Sequence, residues 1–198
     1  MFTKSVFAVA SLAIAGAVHA QVAPAGTVLI PAPMRVMLGF SAVGGGDDLV
    51  TAERTNGKSD TLKAGEGVIL SAGIDYRVNP AFSLQASAGY HHSQISADNG
   101  KLEFTRIPVE LLGFYHFNEN WRLGGGVRYV SKPTLKGSGV ASMPDFEFDS
   151  TTSGVIEAEY LMGRNWGFQL RYVHEKLKVD GYRDINADHA GLGVRYYF

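Results

Sequence analysis

Side chains along an extended strand point alternately to opposite faces. A run that is apolar at every second residue, and polar or small between, is therefore suited to a sheet with two different sides. This chain repeats that pattern eight times. Over 34–42, Met34, Val36, Leu38, Phe40 and Ala42 oppose Arg35, Met37, Gly39 and Ser41. Over 68–77, Val68, Leu70, Ala72, Ile74 and Tyr76 oppose Ser71, Gly73, Asp75 and Arg77. The segments 82–91, 121–129, 155–162 and 166–175 alternate in the same way, and 106–117 does so with a second face that is itself partly apolar. Over 191–198, Leu192, Val194, Tyr196 and Phe198 oppose Gly191, Gly193, Arg195 and Tyr197.

The connections alternate too. Tight turns are expected at 78–80, 118–120 and 163–165, and longer polar loops at 44–65, 96–101, 131–151 and 179–188. Strands of about ten residues, joined consecutively, predict an all-β fold: an eight-stranded antiparallel up-and-down β-barrel. The length also suits strands that cross a membrane at a tilt, which need roughly 9–11 residues. Aromatic residues cluster at both strand ends, as expected at two membrane–water boundaries. Tyr76, Phe82, Phe117, Trp121, Trp166, Tyr196 and Phe198 lie beside the short turns, and Tyr90, Phe104, Tyr129 and Tyr172 lie toward the long loops. A soluble eight-stranded barrel with its apolar face inward would show the same alternation. It accounts for neither the two-ended aromatics nor the terminal Phe198.

Residues 1–20 read as a cleaved secretory signal: Lys4 gives a basic start, Val6 to Val18 an apolar centre, and Val18-His19-Ala20 a small-residue exit. Residues 21–33, with three of the seven prolines, read as an extended N-terminal tether on the periplasmic side. The barrel is expected over 34–198. No other stretch has the ~18 consecutive apolar residues of a helical span. With a formal charge of −1 the chain has no electrostatic case for binding nucleic acid, and with no cysteine it has neither disulfides nor thiolate metal sites.

If the apolar face meets lipid, the other face fills the lumen. That assigns Arg35, Arg77, Arg106, Arg122, Arg128, Arg171 and Arg195 to the interior, with Asp75, Glu110, Glu157, Glu159 and Glu175 as their counter-charges. The interior of an eight-stranded barrel is about wide enough for side chains to fill. Unpaired charge there is very costly, so these residues are expected to interlock as a plug of ion pairs.

An aromatic-rich strand ending in Phe looks like the last strand of a bacterial outer-membrane β-barrel. With the leader, the eight alternating strands and the charged interior, residues 34–198 resemble the small outer-membrane β-barrel family related to outer membrane proteins A and X. The resemblance implies residence in the bacterial outer membrane, surrounded by its lipids. It also implies recognition of the terminal strand, through Leu192, Val194, Tyr196 and Phe198, by the barrel assembly machinery. No peptidoglycan-binding domain follows Phe198, so the anchoring role of outer membrane protein A is not expected.

His91-His92-Ser93 has a His-x-Ser spacing like that of barrel enzymes that deacylate lipid A. Here the sequence continues Gln94-Ile95-Ser96 instead of the Asn-rich run of that motif, and both His91 and Ser93 fall on the lumen face. Asp145-Phe146-Glu147-Phe148-Asp149 offers three carboxylates, short of the oxygen shell of calcium. It reads as a solvated loop or a strand extended above the membrane. Gly124-Gly125-Gly126 lies within a strand, where small residues leave room for bulky lumen side chains. The expected protein is a monomer without enzymatic activity, metal or cofactor, acting structurally or by surface interaction, with any extracellular partner met through 44–65 and 131–151. The alternatives are a narrow channel for small or apolar solutes and a lipid A-modifying enzyme.

Overall fold

A computed structural model describes residues 33–53, 59–97, 100–139, 143–178 and 184–198. The expected signal segment and, except for Pro33, the tether lie outside these residues. The strands are β1 (Met34–Gly44), β2 (Asp48–Glu53), β3 (Ser59–Lys63), β4 (Gly67–Arg77), β5 (Phe82–Ala97), β6 (Gly100–His116) and β7 (Trp121–Gly139). They continue with β8 (Met143–Glu147), β9 (Thr151–Met162), β10 (Trp166–His174), β11 (Lys176–Leu177), β12 (Ile185–Asn186) and β13 (His189–Tyr197).

Eight of them, β1, β4, β5, β6, β7, β9, β10 and β13, pair antiparallel with their neighbours in sequence order. The first and last then close the ring, with Leu38 opposite Tyr196 and Gly44 opposite Ala190. Closure leaves the barrel strands no open edge, which lets a sheet reside in hydrocarbon. The fold is the expected all-β, eight-stranded up-and-down barrel.

The two faces separate as the alternation predicts. Phe40, Leu84, Leu111, Phe168, Leu170 and Leu192 lie on the exposed outer wall, while Asp75, Gln85, Glu110, Arg122, Glu157 and Arg195 are buried inside. An outer wall this uniformly apolar suits lipid rather than water. That geometry overturns the soluble alternative, which requires the apolar face inside. Near the short turns the outer rings touch in sequence: Phe82–Tyr115 at 5.2 Å, Trp121–Tyr160 at 5.0 Å, Trp166–Tyr196 and Tyr196–Phe198 each at 4.9 Å between centroids. Tyr90, Tyr129 and Tyr172 remain exposed near the other end. Phe104 does not join them; it is wholly buried, because its parity on β6 is that of Arg106 and Leu102, not that of the outer wall.

The long connections differ most from expectation. Residues 96–101 are not an open loop: β5 and β6 stay paired out to Ala97 opposite Gly100. In the same way β7 runs to Gly139 and pairs with β8 within the expected loop 131–151, Leu135 facing Phe146. The segment 44–65 holds the hairpin β2–β3, and 179–188 contributes β12 to a short ladder with β11. These segments look polar when read singly. Their few apolar residues are satisfied only by one another, as described next.

Candidate functional site

The short-turn half of the lumen is organised on Arg122, from β7. Its guanidinium donates to Asp75 Oδ1 at 2.7 Å, to Glu159 Oε2 at 2.7 Å and to Tyr197 Oη at 2.5 Å, and reaches Ser83 Oγ at 3.1 Å. The register puts Arg122 directly opposite Glu159 on β9, and Arg35 directly opposite Asp75 on β4. Arg35 donates to Asp75 Oδ2 at 2.7 Å and lies 4.2 Å from the centroid of the Tyr197 ring. Tyr197 Oη in turn donates to Glu159 Oε1 at 2.7 Å. Arg195, from β13, grips Glu157 with both terminal nitrogens and approaches Glu159 at 3.4 Å. That reach crosses β10 at Gly167, where an added Cβ would fall 2.0 Å from Glu159 Oε1. Any side chain there would have to push the Glu159 carboxylate out of its place in this network. Likewise an added Cβ at Gly124 would meet the Phe114 ring at 2.4 Å, and Arg122 lies 4.1 Å over that same ring.

The other half is organised on Glu175 and Glu110. Arg106 donates to Glu175 Oε1 at 2.7 Å, Arg128 to Glu175 Oε2 at 3.1 Å and to Glu110 Oε1 at 2.9 Å, and Arg171 to Glu110 Oε1 at 2.7 Å. Ser153 Oγ adds a hydrogen bond to Glu175. His91 Nε2 lies 2.9 Å from Arg106 and His91 Nδ1 lies 3.2 Å from Arg128, so both ring nitrogens face guanidinium groups. Leu112, Phe114, Val155 and Val173 form an apolar cluster on the inner wall. A void of about 10 Å³ beside Glu110 and Arg171 is on the scale of one water.

All twelve charged side chains expected in the lumen face inward, but they fall into two classes. Arg106, Arg122, Arg128, Arg171 and Arg195 are buried, and so are Asp75, Glu110, Glu157, Glu159 and Glu175, so these buried charges balance five against five. Arg35 and Arg77 are the surplus cations. Arg35 is 26% exposed, and Arg77 donates to the carbonyls of Asn79 and Pro80 and contacts His116 at 2.9 Å, all at the short-turn rim. A rim cation keeps water on one side, which removes most of the desolvation cost that burial imposes.

Two polar partners of this network escaped the charge-based reading. Tyr197 was legible as an inward residue from its parity, but its hydroxyl role depends on where Arg122 and Glu159 meet. His116, inward on β6, bridges Arg77 and Ser83. Leu192 and Phe198 lie exposed on the outer wall, with Val194 and Tyr196 partly covered on the same face.

Above the charges sits a second core that no single segment announces. Leu62 and Ala64 from the β2–β3 region, Leu102 and Phe104 from β6, Leu135 from β7, Phe148, Leu177 and Ala187 pack together, flanked by Leu49, Val50, Ile95 and Ile185. Phe104 and Phe148 meet edge to face at 5.5 Å, and Arg106 lies 4.9 Å over Phe104, joining this cap to the charged layer. In the acidic run, Asp145 pairs with Lys136 at 2.7 Å and Glu147 with Lys132 at 3.5 Å, while Phe148 turns into the cap. At the rim outside the strands, partial burial alone would raise the Asp188 carboxyl. Hydrogen bonds from His174, the Glu175 N–H and Tyr172 outweigh that and hold it below the usual range.

Residues 8–198 match the outer membrane protein beta-barrel domain. Comparison with curated proteins gave no match. Among solved structures, the chain is similar to Ail, the attachment invasion locus protein of Yersinia pestis, in complex with the heparin analogue sucrose octasulfate. The TM-score is 0.58 at 14% identity, over 83% of this chain and 97% of that one. A second structure of Ail gives 0.55 at 15% identity over the same shares. Neisserial surface protein A aligns at 14% identity over 84% of this chain and 98% of its own, with a TM-score of 0.48. At these identities the likeness to Ail is one of fold.

Proposed function

Since this chain belongs to the outer membrane protein beta-barrel family and resides in the bacterial outer membrane, we propose that it is a non-enzymatic barrel with a sealed lumen, serving a structural or surface-interaction role. The observation that carries the reading is the balance of five buried arginines against five buried carboxylates, closed over by the apolar cap. A conducting path would have to part these ion pairs, each of which is costly to break inside a low-dielectric interior. In this reading the protein is a monomer, its terminal strand serves assembly through Leu192, Val194, Tyr196 and Phe198, and the hairpins within 44–65 and 131–151 are the surfaces offered to an extracellular partner. Loops on a rigid scaffold are where such contacts are usually made.

Single-channel recording of the refolded protein in planar bilayers tests the seal. Only a flat baseline or brief, small events are expected; stable, large openings would refute the plug.

The non-enzymatic part of the proposal rests on His91. Its ring nitrogens face Arg106 and Arg128, and it is buried, so it is poorly placed to take a proton from a nucleophile attacking lipid. Mass spectra of lipid A from cells making the wild-type protein and His91→Ala should be identical. Loss of an acyl chain with the wild type alone would establish an enzyme.

A further inference from the structure

Along the outer face of β10 the exposed residues run Trp166, Phe168, Leu170, Tyr172 and then, at the same parity, His174, Lys176 and Lys178. The wall thus changes from apolar to basic just past the aromatic boundary at the hairpin end. That end carries the long connections, which in outer-membrane barrels face outside. Beside it on β9 the outward positions become Ile156, Gly154 and Thr152, with Ser150 beyond. Between them lies a cleft of about 410 Å³ lined by Ser150, Thr151, Thr152, His174, Lys176 and Lys178.

We propose that this cleft is a docking site for the phosphate-bearing headgroup of an outer-leaflet lipid, with Lys176 and Lys178 supplying charge and Ser150 and Thr152 supplying hydroxyl donors. Depth agrees with this. Each outward step along a strand rises about 7 Å, or about 5 Å along the membrane normal at a 45° tilt, and the polar layer of one leaflet is about 5–7 Å deep. His174, one step above Tyr172, therefore stands within the headgroup layer. Lys176, two steps above at about 10 Å, lies just past its outer edge, with a four-carbon stem long enough to bring its ammonium back to the phosphates.

Charge agrees as well. His174 is already held by Asp188 at 2.9 Å, and Thr151 Oγ1 donates to the Lys176 carbonyl, fixing the backbone beside the cleft. Among the described residues, neither Lys176 nor Lys178 has an ion-pair partner, in contrast to Lys132 and Lys136 on the β7–β8 hairpin. An ammonium on a long apolar stem can lie along the acyl boundary and still place its charge among phosphates.

The test is native mass spectrometry of the refolded full-length protein in detergent, titrated with bisphosphorylated lipid A and with its phosphate-free form. Lys176→Gln/Lys178→Gln should weaken retention of the phosphorylated lipid about tenfold or more and leave the phosphate-free lipid unchanged. Lys132→Gln/Lys136→Gln should behave as wild type, and Lys176→Arg/Lys178→Arg should keep the affinity, which separates lost charge from a misfolded barrel. Equal retention by the Gln double variant, or equal retention of both lipids by the wild type, would overturn the proposal. So would displacement of the lipid by millimolar inorganic phosphate, which would mark a site for free anions instead.

Discussion

Leu170→Arg is expected to remove about 2–4 kcal/mol from folding into lipid vesicles, because a lipid-facing guanidinium near the bilayer midplane leaves water without gaining a partner. Leu170 lies 57% exposed on the outer wall between Trp166 and Tyr172. Its neighbour Gln169 is 3% exposed, points into the lumen and donates to Ser41 Oγ at 2.5 Å. The informative companion is Gln169→Met, similar in length and uncharged. It leaves the buried Ser41 hydroxyl without this partner, which costs about 1–3 kcal/mol. It also removes Gln169 Oε1, itself buried without a partner, and keeps its place in the packing, so the net cost is expected below that of Leu170→Arg. An arginine at 169 would serve less well, since it would be a sixth buried cation against five carboxylates. Urea-dependent folding of both variants in the same vesicles gives the ranking. If Gln169→Met is the more damaging, or Leu170→Arg costs nothing, the outer wall does not face lipid.

That adjacent residues of one strand should behave so differently follows from alternation, and alternation is what made most of this fold legible. A strand's period is two regardless of what surrounds it, so parity alone places Arg122 inside and Leu123 outside, and a terminal Phe completes the last strand. The same parity placed all twelve lumen charges. It failed where context rather than period decides. Phe104, aromatic and close to a boundary, reads as part of the outer girdle, yet it shares parity with Arg106 and stands inside the cap. The cap itself was hidden for a related reason. Leu62, Leu102, Leu135, Phe148, Leu177 and Ala187 come from four different connections. Each is surrounded in sequence by polar residues and glycines, so a local window reads loop. Their burial is a non-local event, made possible only when the ring closes and brings the four connections over one mouth.

Pairing within the lumen was partly legible. Arg35 with Asp75, Arg128 with Glu110 and Arg122 with Glu159 are direct cross-strand neighbours, available to anyone who has the register. Arg171 also stands opposite Glu157 in the register, yet its hydrogen bond goes to Glu110, while Glu157 is taken by Arg195 from across β10. Guanidinium side chains are long enough in a narrow barrel to bypass the nearest carboxylate. The choice is then made by the whole set of charges rather than by any one pair.

Arg195 and Glu157 offer the sharpest measure of what that set contributes. Among the described residues Arg195 is the ion-pair partner of Glu157, and both are buried. Arg195→Met should cost about 3–5 kcal/mol, because it strands a buried carboxylate. Glu157→Gln should cost less, since Arg195 still reaches Glu159 at 3.4 Å. The double variant should be more stable than Arg195→Met alone, because removing the second charge removes the penalty of leaving it unpaired; a coupling energy of about 1–3 kcal/mol is expected from urea unfolding of the four proteins in one vesicle preparation. The outcome bears on function as directly as conductance does. In a water-filled lumen the two charges would be solvated, each single variant would cost no more than an exposed pair is worth, about 0–1 kcal/mol, and the effects would simply add. Additive, small losses would therefore open the lumen to water, and with it the channel alternative; strong coupling requires a dry, interlocked plug.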